Sequence, residues 1–104
     1  MTEMEQDIFN IISIAGDSKS KAFEALKKVK ENDFEAAESL IEESRKLDLE
    51  SHKIQTRLIT QELDPEKDST PITLLMAHAQ DHYMSSQLAR DLIETLIQVF
   101  KVRG

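Results

Sequence analysis

Apolar positions along the chain recur at three- and four-residue steps in three blocks, the period of an α-helix. In the first block Met4, Ile8, Ile11, Ala15, Ala22, Leu26 and Val29 keep that step, with Lys19 interrupting. Thr2, with Glu5 three residues on, is a capping-box pattern ahead of it. Gly16 falls inside the block. It is either a tolerated helix glycine, costing about 1 kcal/mol against alanine, or a kink or close approach of a neighbouring helix. Asn32 followed by Glu35 repeats the capping-box pattern and predicts a junction. The second block runs Phe34, Ala37, Leu40 (with Ile41), Ser44, Leu47, Ser51, Ile54 and Leu58, the seam expected of a helical bundle. Its charged residues, Glu35, Glu38, Glu42, Glu43, Arg45, Lys46 and Glu50, predict a solvated face, and His52 lies just off the seam as a half-buried packing histidine. Leu63 to Ser69 is the clear loop, because Pro65 cannot continue a helix and the charges around it stay wet. Thr70 and Pro71 then read as cap and first residue of a third helix.

The third block differs from the other two in carrying two apolar stripes. One runs Ile72, Leu75, Ala79, His82, Ser86, Ala89, Ile93, Leu96 and Phe100. The other runs Leu74, His78, Asp81, Ser85, Leu88, Leu92, Thr95, Val99 and Val102, and Gln80, Gln87, Arg90 and Glu94 mark the remaining wet face. A helix apolar on two sides is sandwiched between partners. With only two other helices in the chain, one stripe serves the internal core and the other is expected to serve self-association with closed cyclic symmetry. The expected fold is all-α: residues 1–104 as one domain, an antiparallel up-down-up three-helix bundle.

Composition agrees and narrows the function classes. The 104 residues are 39% hydrophobic and 32% charged, with two glycines, two prolines and 5% aromatics, which favours long helices over a sheet. No cysteine is present, so disulfide and thiolate chemistry are excluded. The net charge of −7 makes the chain a poor partner for nucleic acid or anionic lipid, because phosphate contacts want clustered Lys and Arg. No apolar run approaches the ~20 residues of a membrane span, and the N-terminal residues lack the basic-then-apolar pattern of a secretory signal. A cytoplasmic location is expected.

The second stripe also carries the candidate chemistry, in the segment Ala77-His78-Ala79-Gln80-Asp81-His82. Helical pitch stands His78 over both Asp81 and His82. An ionised aspartate on a buried seam is costly unless paired or metal-bound. If identical helices meet at a rotation axis, copies of Asp81 repel, and a shared hard cation such as Mg²⁺ would resolve that conflict. Alternatively Asp81 lies at a wet edge or pairs with a lysine. For His78 four roles are open. The zinc-hydrolase pattern H-E-x-x-H has the right histidine spacing, but Ala79 stands where the glutamate must be. The others are a non-catalytic metal site of His78 and His82, a hydrogen-bonded interface histidine without chemistry, and a nucleophile that accepts and passes on a phosphoryl group. The chain has no glycine-rich phosphate loop, so in the last case the donor would be another phosphoprotein rather than ATP.

At His78-Ala79-Gln80-Asp81-His82, preceded by His52-Lys53-Ile54-Gln55-Thr56, the chain resembles the enzyme IIA component of the lactose/cellobiose (chitobiose) branch of the bacterial sugar phosphotransferase system. Ala15-Gly16-Asp17, Glu24-Ala25-Leu26 and Asp33-Phe34-Glu35-Ala36-Ala37 extend the likeness over nearly the whole chain. The resemblance implies a homotrimer of three-helix protomers, a nine-helix bundle. It implies that His78 is phosphorylated by the small carrier HPr and donates to a cysteine of the IIB component, with the membrane IIC component involved only indirectly. It implies that Asp81 from three subunits holds one divalent ion, Mg²⁺, on the threefold axis, and that His82 supports the site by holding phosphate or orienting His78. The chain departs from the family pattern at Tyr83, where an aliphatic is expected, at Ser51 in place of alanine and at Lys19 in place of arginine. The competing expectations are a non-catalytic helical interaction module and a histidine metal-binding bundle.

Overall fold

The computed structural model describes residues 1–66 and 73–103, and these form three long helices, α1 (Glu3–Lys30), α2 (Phe34–Leu63) and α3 (Leu74–Arg103), in a body of 56 × 22 × 19 Å. No strand occurs among the described residues. The expected cap at Thr70-Pro71, the later loop positions Lys67 to Ser69 and Ile72 of the first stripe lie outside them. The first described turn of α3 is capped by Thr73, whose Oγ1 accepts from Met76 N at 3.1 Å and whose carbonyl accepts from Ala77 N at 3.0 Å.

The first helix begins as its sequence predicts. Thr2 Oγ1 accepts from Glu5 N and Glu5 Oε1 accepts from Thr2 N, both at 3.1 Å. Hydrogen bonding from Thr2, by its backbone N–H more than by its hydroxyl, holds the Glu5 carboxyl below the usual carboxylate range. Gly16 admits no close neighbour, since a Cβ added there would meet no atom within 4 Å, and α1 continues through it.

The junction is one residue off the expectation. Asp33, not Asn32, caps α2, its side chain accepting from Ala36 N at 3.1 Å. Asn32 has φ 58°, the only left-handed non-glycine residue among those described. It closes α1 in a Schellman turn: Asn32 N donates to Val29 O at 2.9 Å and Asp33 N to Lys28 O at 2.9 Å. Asparagine suits that position because it tolerates the left-handed region better than other side chains. Its conformational tolerance, not its capping oxygen, explains its place.

Two apolar clusters hold the bundle. Ala22, Ala25 and Val29 of α1 meet Ala37 and Ile41 of α2 and Ile93 and Ile97 of α3 at one end. Ile8 and Ile11 meet Ile54, Ala79 and Tyr83 at the other. Between them the interior is built of small polar residues. Ser18 and Ser44, both fully buried, exchange hydrogen bonds, each hydroxyl donating to the other's carbonyl at 3.0 and 2.9 Å. Ser44 belongs to the expected seam, whereas Ser18 lies off the apolar pattern and replaces Lys19 as the inward position.

The stripes of α3 are rotated from the expectation. Ala79, Ser86 and Ile93 face the core, but Tyr83 and Ile97 complete that face, while Leu96 and Phe100 are exposed. The supposed wet face is the contact with α2. Gln80 pairs with Gln55, Arg90 with Asp48, Glu94 with Arg45, and farther out Lys101 reaches Glu38 at 2.8 Å. Those residues are polar because their partners on α2 are polar. A hydrophobicity pattern reads such a seam as solvent. Arg45 of the supposed solvated face is accordingly half-buried, while Glu35, Glu38, Glu42, Glu43, Lys46 and Glu50 are exposed.

Candidate functional site

His78, Asp81 and His82 lie on the second described turn of α3, on the side away from α2. His78 and Asp81 are exposed and His82 is half-buried. The histidine rings meet edge to face, centroids 4.5 Å apart at 85°, and their Nε2 atoms lie 3.1 Å from each other. One proton therefore sits between the two rings, one donating and the other offering its lone pair. His82 Nδ1 is buried without a partner. A buried orphan N–H is the costlier of the two alternatives, which favours the tautomer with His82 protonated at Nε2 and donating to His78. Ser85 Oγ donates to His82 O at 3.3 Å.

Asp81 sits beside this pair and its carboxylate makes no hydrogen bond to the described residues. Among the described residues the apolar positions of the expected second stripe are uncovered: Leu88 and Leu92 are 60% and 57% exposed, and Leu74, Val99 and Val102 are exposed as well. A continuous exposed apolar face of this kind marks an interaction site. Among the described residues no three His, Cys, Asp or Glu side chains converge on a possible metal position. One chain alone thus offers one carboxylate. A hard cation bound by Asp81 would require carboxylates from further copies.

Behind the site stands a second group that sequence reasoning left without a role. His52 is exposed rather than half-buried, yet its Nδ1 lies 2.8 Å from the hydroxyl of Tyr83, the residue after His82. Gln87 Nε2 donates to the same hydroxyl at 3.2 Å. Burial pushes the Tyr83 phenol above its ordinary value, with the hydrogen bond from Gln87 opposing. Asp48, 2% exposed at its side chain, accepts from Ser86 at 3.1 Å and pairs with Arg90, which is 12% exposed. The available signal was spacing. His52 and Gln55 lie three apart on α2, Gln80 and Tyr83 three apart on α3, and antiparallel helices bring the two pairs together.

Comparison with known proteins gives the family. The family described as "PTS system, Lactose/Cellobiose specific IIA subunit" matches residues 6–101. The lactose-specific EIIA component of Staphylococcus epidermidis is 41% identical over 93 residues, covering 89% of this chain and 88% of that protein. The cellobiose-specific enzyme IIA of Bacillus anthracis superposes with a TM-score of 0.90 at 35% identity, over 97% of this chain and 91% of that one. The IIA(Chitobiose) of the Escherichia coli N,N'-diacetylchitobiose branch, solved in complex with HPr, superposes with a TM-score of 0.83 at 36% identity, covering both chains fully. On this likeness, from helix order to overall identity, the chain belongs to the lactose/cellobiose-specific IIA subunits of the sugar phosphotransferase system, a family of phosphotransfer proteins.

Proposed function

We propose that the protein is a phosphocarrier in which His78 accepts a phosphoryl group from phosphorylated HPr and passes it to a cysteine of a IIB component. This would couple uptake of a disaccharide such as lactose, cellobiose or chitobiose to its phosphorylation. The observation that carries this reading is the exposed His78 ring with the His82 imidazole at 3.1 Å. The lone pair of His78 attacks phosphorus as the bond that joins the phosphoryl group to the HPr donor atom breaks, and a reactive phosphoramidate forms on His78. A thiolate on the IIB component then takes the group in the same way, and His78 returns to neutral imidazole. His82 supports both steps: the N–H that pairs with His78 in the resting protein turns to a phosphoryl oxygen when the group is bound. The carrier works in the cytoplasm, meets the membrane IIC component only through IIB, and binds no nucleic acid.

The same reading makes the protein a homotrimer. The exposed stripe from Leu74 to Val102 supports assembly of three copies of α3 about a threefold axis, with Asp81 carboxylates facing one another. Asp81 would then hold one Mg²⁺ per trimer, and the ion would offset most of the repulsion among three like charges rather than take part in transfer. Asp81→Leu removes both the repulsion and the ion, so the variant should remain trimeric in the presence of chelator. A wild type whose assembly is indifferent to chelator contradicts the shared ion. For the chemistry the test is phosphate uptake from phosphorylated HPr. His78→Ala should abolish it, and uptake by that variant at the wild-type rate would overturn the assignment.

A further inference from the structure

The segment His52 to Thr56 carries much of the family likeness, yet none of it reaches the outer face of α3 where His78 stands. His52 and Gln55 instead grip α3 from the α2 side, at Tyr83 and Gln80. Near the site the apolar contact to α1 is made by Ile8 and Ile11 against Ala79 and the ring of Tyr83. Such contacts are non-directional. They resist separation of the helices but let α3 turn by a few degrees at little cost. A hydrogen bond of 2.8 Å does not, because it weakens steeply with distance and angle. A turn of about 10° moves a side chain roughly 6 Å from the helix axis by about 1 Å, a displacement large enough to cost up to about a hundredfold in a transfer rate.

We propose that Tyr83, gripped by His52 and Gln87, is a positioning residue for phosphoryl transfer: its hydroxyl fixes the rotation of the turn that bears His82 and, through His82, the orientation of the His78 ring. The proposal rests on the phosphocarrier reading above. Its geometry is a chain of named contacts: His52 Nδ1 and Tyr83 Oη share a hydrogen bond of 2.8 Å, Gln87 Nε2 donates to that oxygen at 3.2 Å, Tyr83 is bonded to His82, and His82 Nε2 meets His78 Nε2 at 3.1 Å. The imidazole and phenol rings also stack, centroids 6.4 Å apart at 23°. Both side chains of the grip lie apart from the reacting atoms. Tyr83 is 6% exposed and faces inward, so it acts through the turn of α3 that carries it rather than by touching the phosphoryl group.

Tyr83→Phe keeps the packed ring and removes only the hydroxyl. His52→Leu removes the hydrogen-bonding partner at an exposed position, and His52→Asn keeps one. Tyr83→Phe and His52→Leu should each slow single-turnover phosphate uptake from phosphorylated HPr by about 3- to 10-fold, the scale of one neutral hydrogen bond. The donor concentration at half saturation should not change. The double variant should be no slower than the slower single one, and His52→Asn should lie within about twofold of wild type. The ¹⁵N resonances of His78 and His82 in the unphosphorylated protein should shift in Tyr83→Phe. Unshifted resonances with a wild-type rate, or additive losses in the double variant, overturn the proposal. Should His78→Ala still take up phosphate, the phosphocarrier assignment fails instead, and the ring resonances alone then decide whether Tyr83 orients the pair.

Discussion

The two faces that α3 turns toward its own chain are built on opposite principles. Toward α1 it offers Ala79, Ile93 and Ile97, which meet Ile8, Ile11, Ala22, Ala25 and Val29 in dry contacts. Toward α2 it offers Gln80, Tyr83, Ser86, Arg90 and Glu94, each hydrogen-bonded to a named partner. The first face supplies burial and the second supplies register: a dry seam can slide by a fraction of a turn, whereas a ladder of unlike polar pairs matches at one height only. A site such as His78 and His82 needs both, and it sits on the face that neither seam covers.

The comparison can be broken most severely at its buried charge. Arg90→Leu would leave Asp48 buried and unpaired, and unfolding in urea should show a loss of about 3–5 kcal/mol. Replacing both, as Asp48→Leu with Arg90→Leu, should recover most of that stability, since a matched apolar pair is often no worse than the ions. The register should then be less well defined, seen as broadened amide resonances along α3. On the dry side Ile11→Ala, at a residue 1% exposed, should cost about 2–4 kcal/mol with no change in register.

Smaller effects lie outside both seams and calibrate them. Gly16→Ala fills open space on α1 and should stabilise by about 1 kcal/mol in thermal melts. The Glu5 carboxyl is the least. Its value in the folded chain is depressed by Thr2, so its contribution is present above the ordinary carboxylate value and lost as pH falls through the depressed one. Glu5→Gln, which removes the titrating carboxyl, should flatten that acid-side decline in the fraying of α1, as followed by amide exchange.

Helix number, the α1 capping box, the α2 seam at Ala37, Ser44, Ser51 and Ile54, and the surplus stripe were legible because each rests on apolar period or local cap chemistry. What escaped rests on pairing. Gln80, Gln87, Arg90 and Glu94 read as wet because a polar residue facing a polar residue across a seam carries the same local signal as one facing water. Tyr83 read as a departure from an expected aliphatic, although its hydroxyl is what α2 holds. Asn32 read as a cap because asparagine serves two purposes at helix ends, and only the backbone angle separates them. The candidate site segment was proposed from residue type and pitch; the side of α3 it occupies followed from the surplus stripe. Its support from His52 could not be read from either helix alone.

The measurement that bears most directly on this account is the location of phosphate after exposure to phosphorylated HPr. Mass mapping of the intact and digested protein, kept alkaline to preserve phosphohistidine, should find one phosphoryl group per chain, on His78, and none on the His78→Ala variant. Phosphate on any other residue, or undiminished uptake by that variant, would contradict the assignment of chemistry to the outer face of α3.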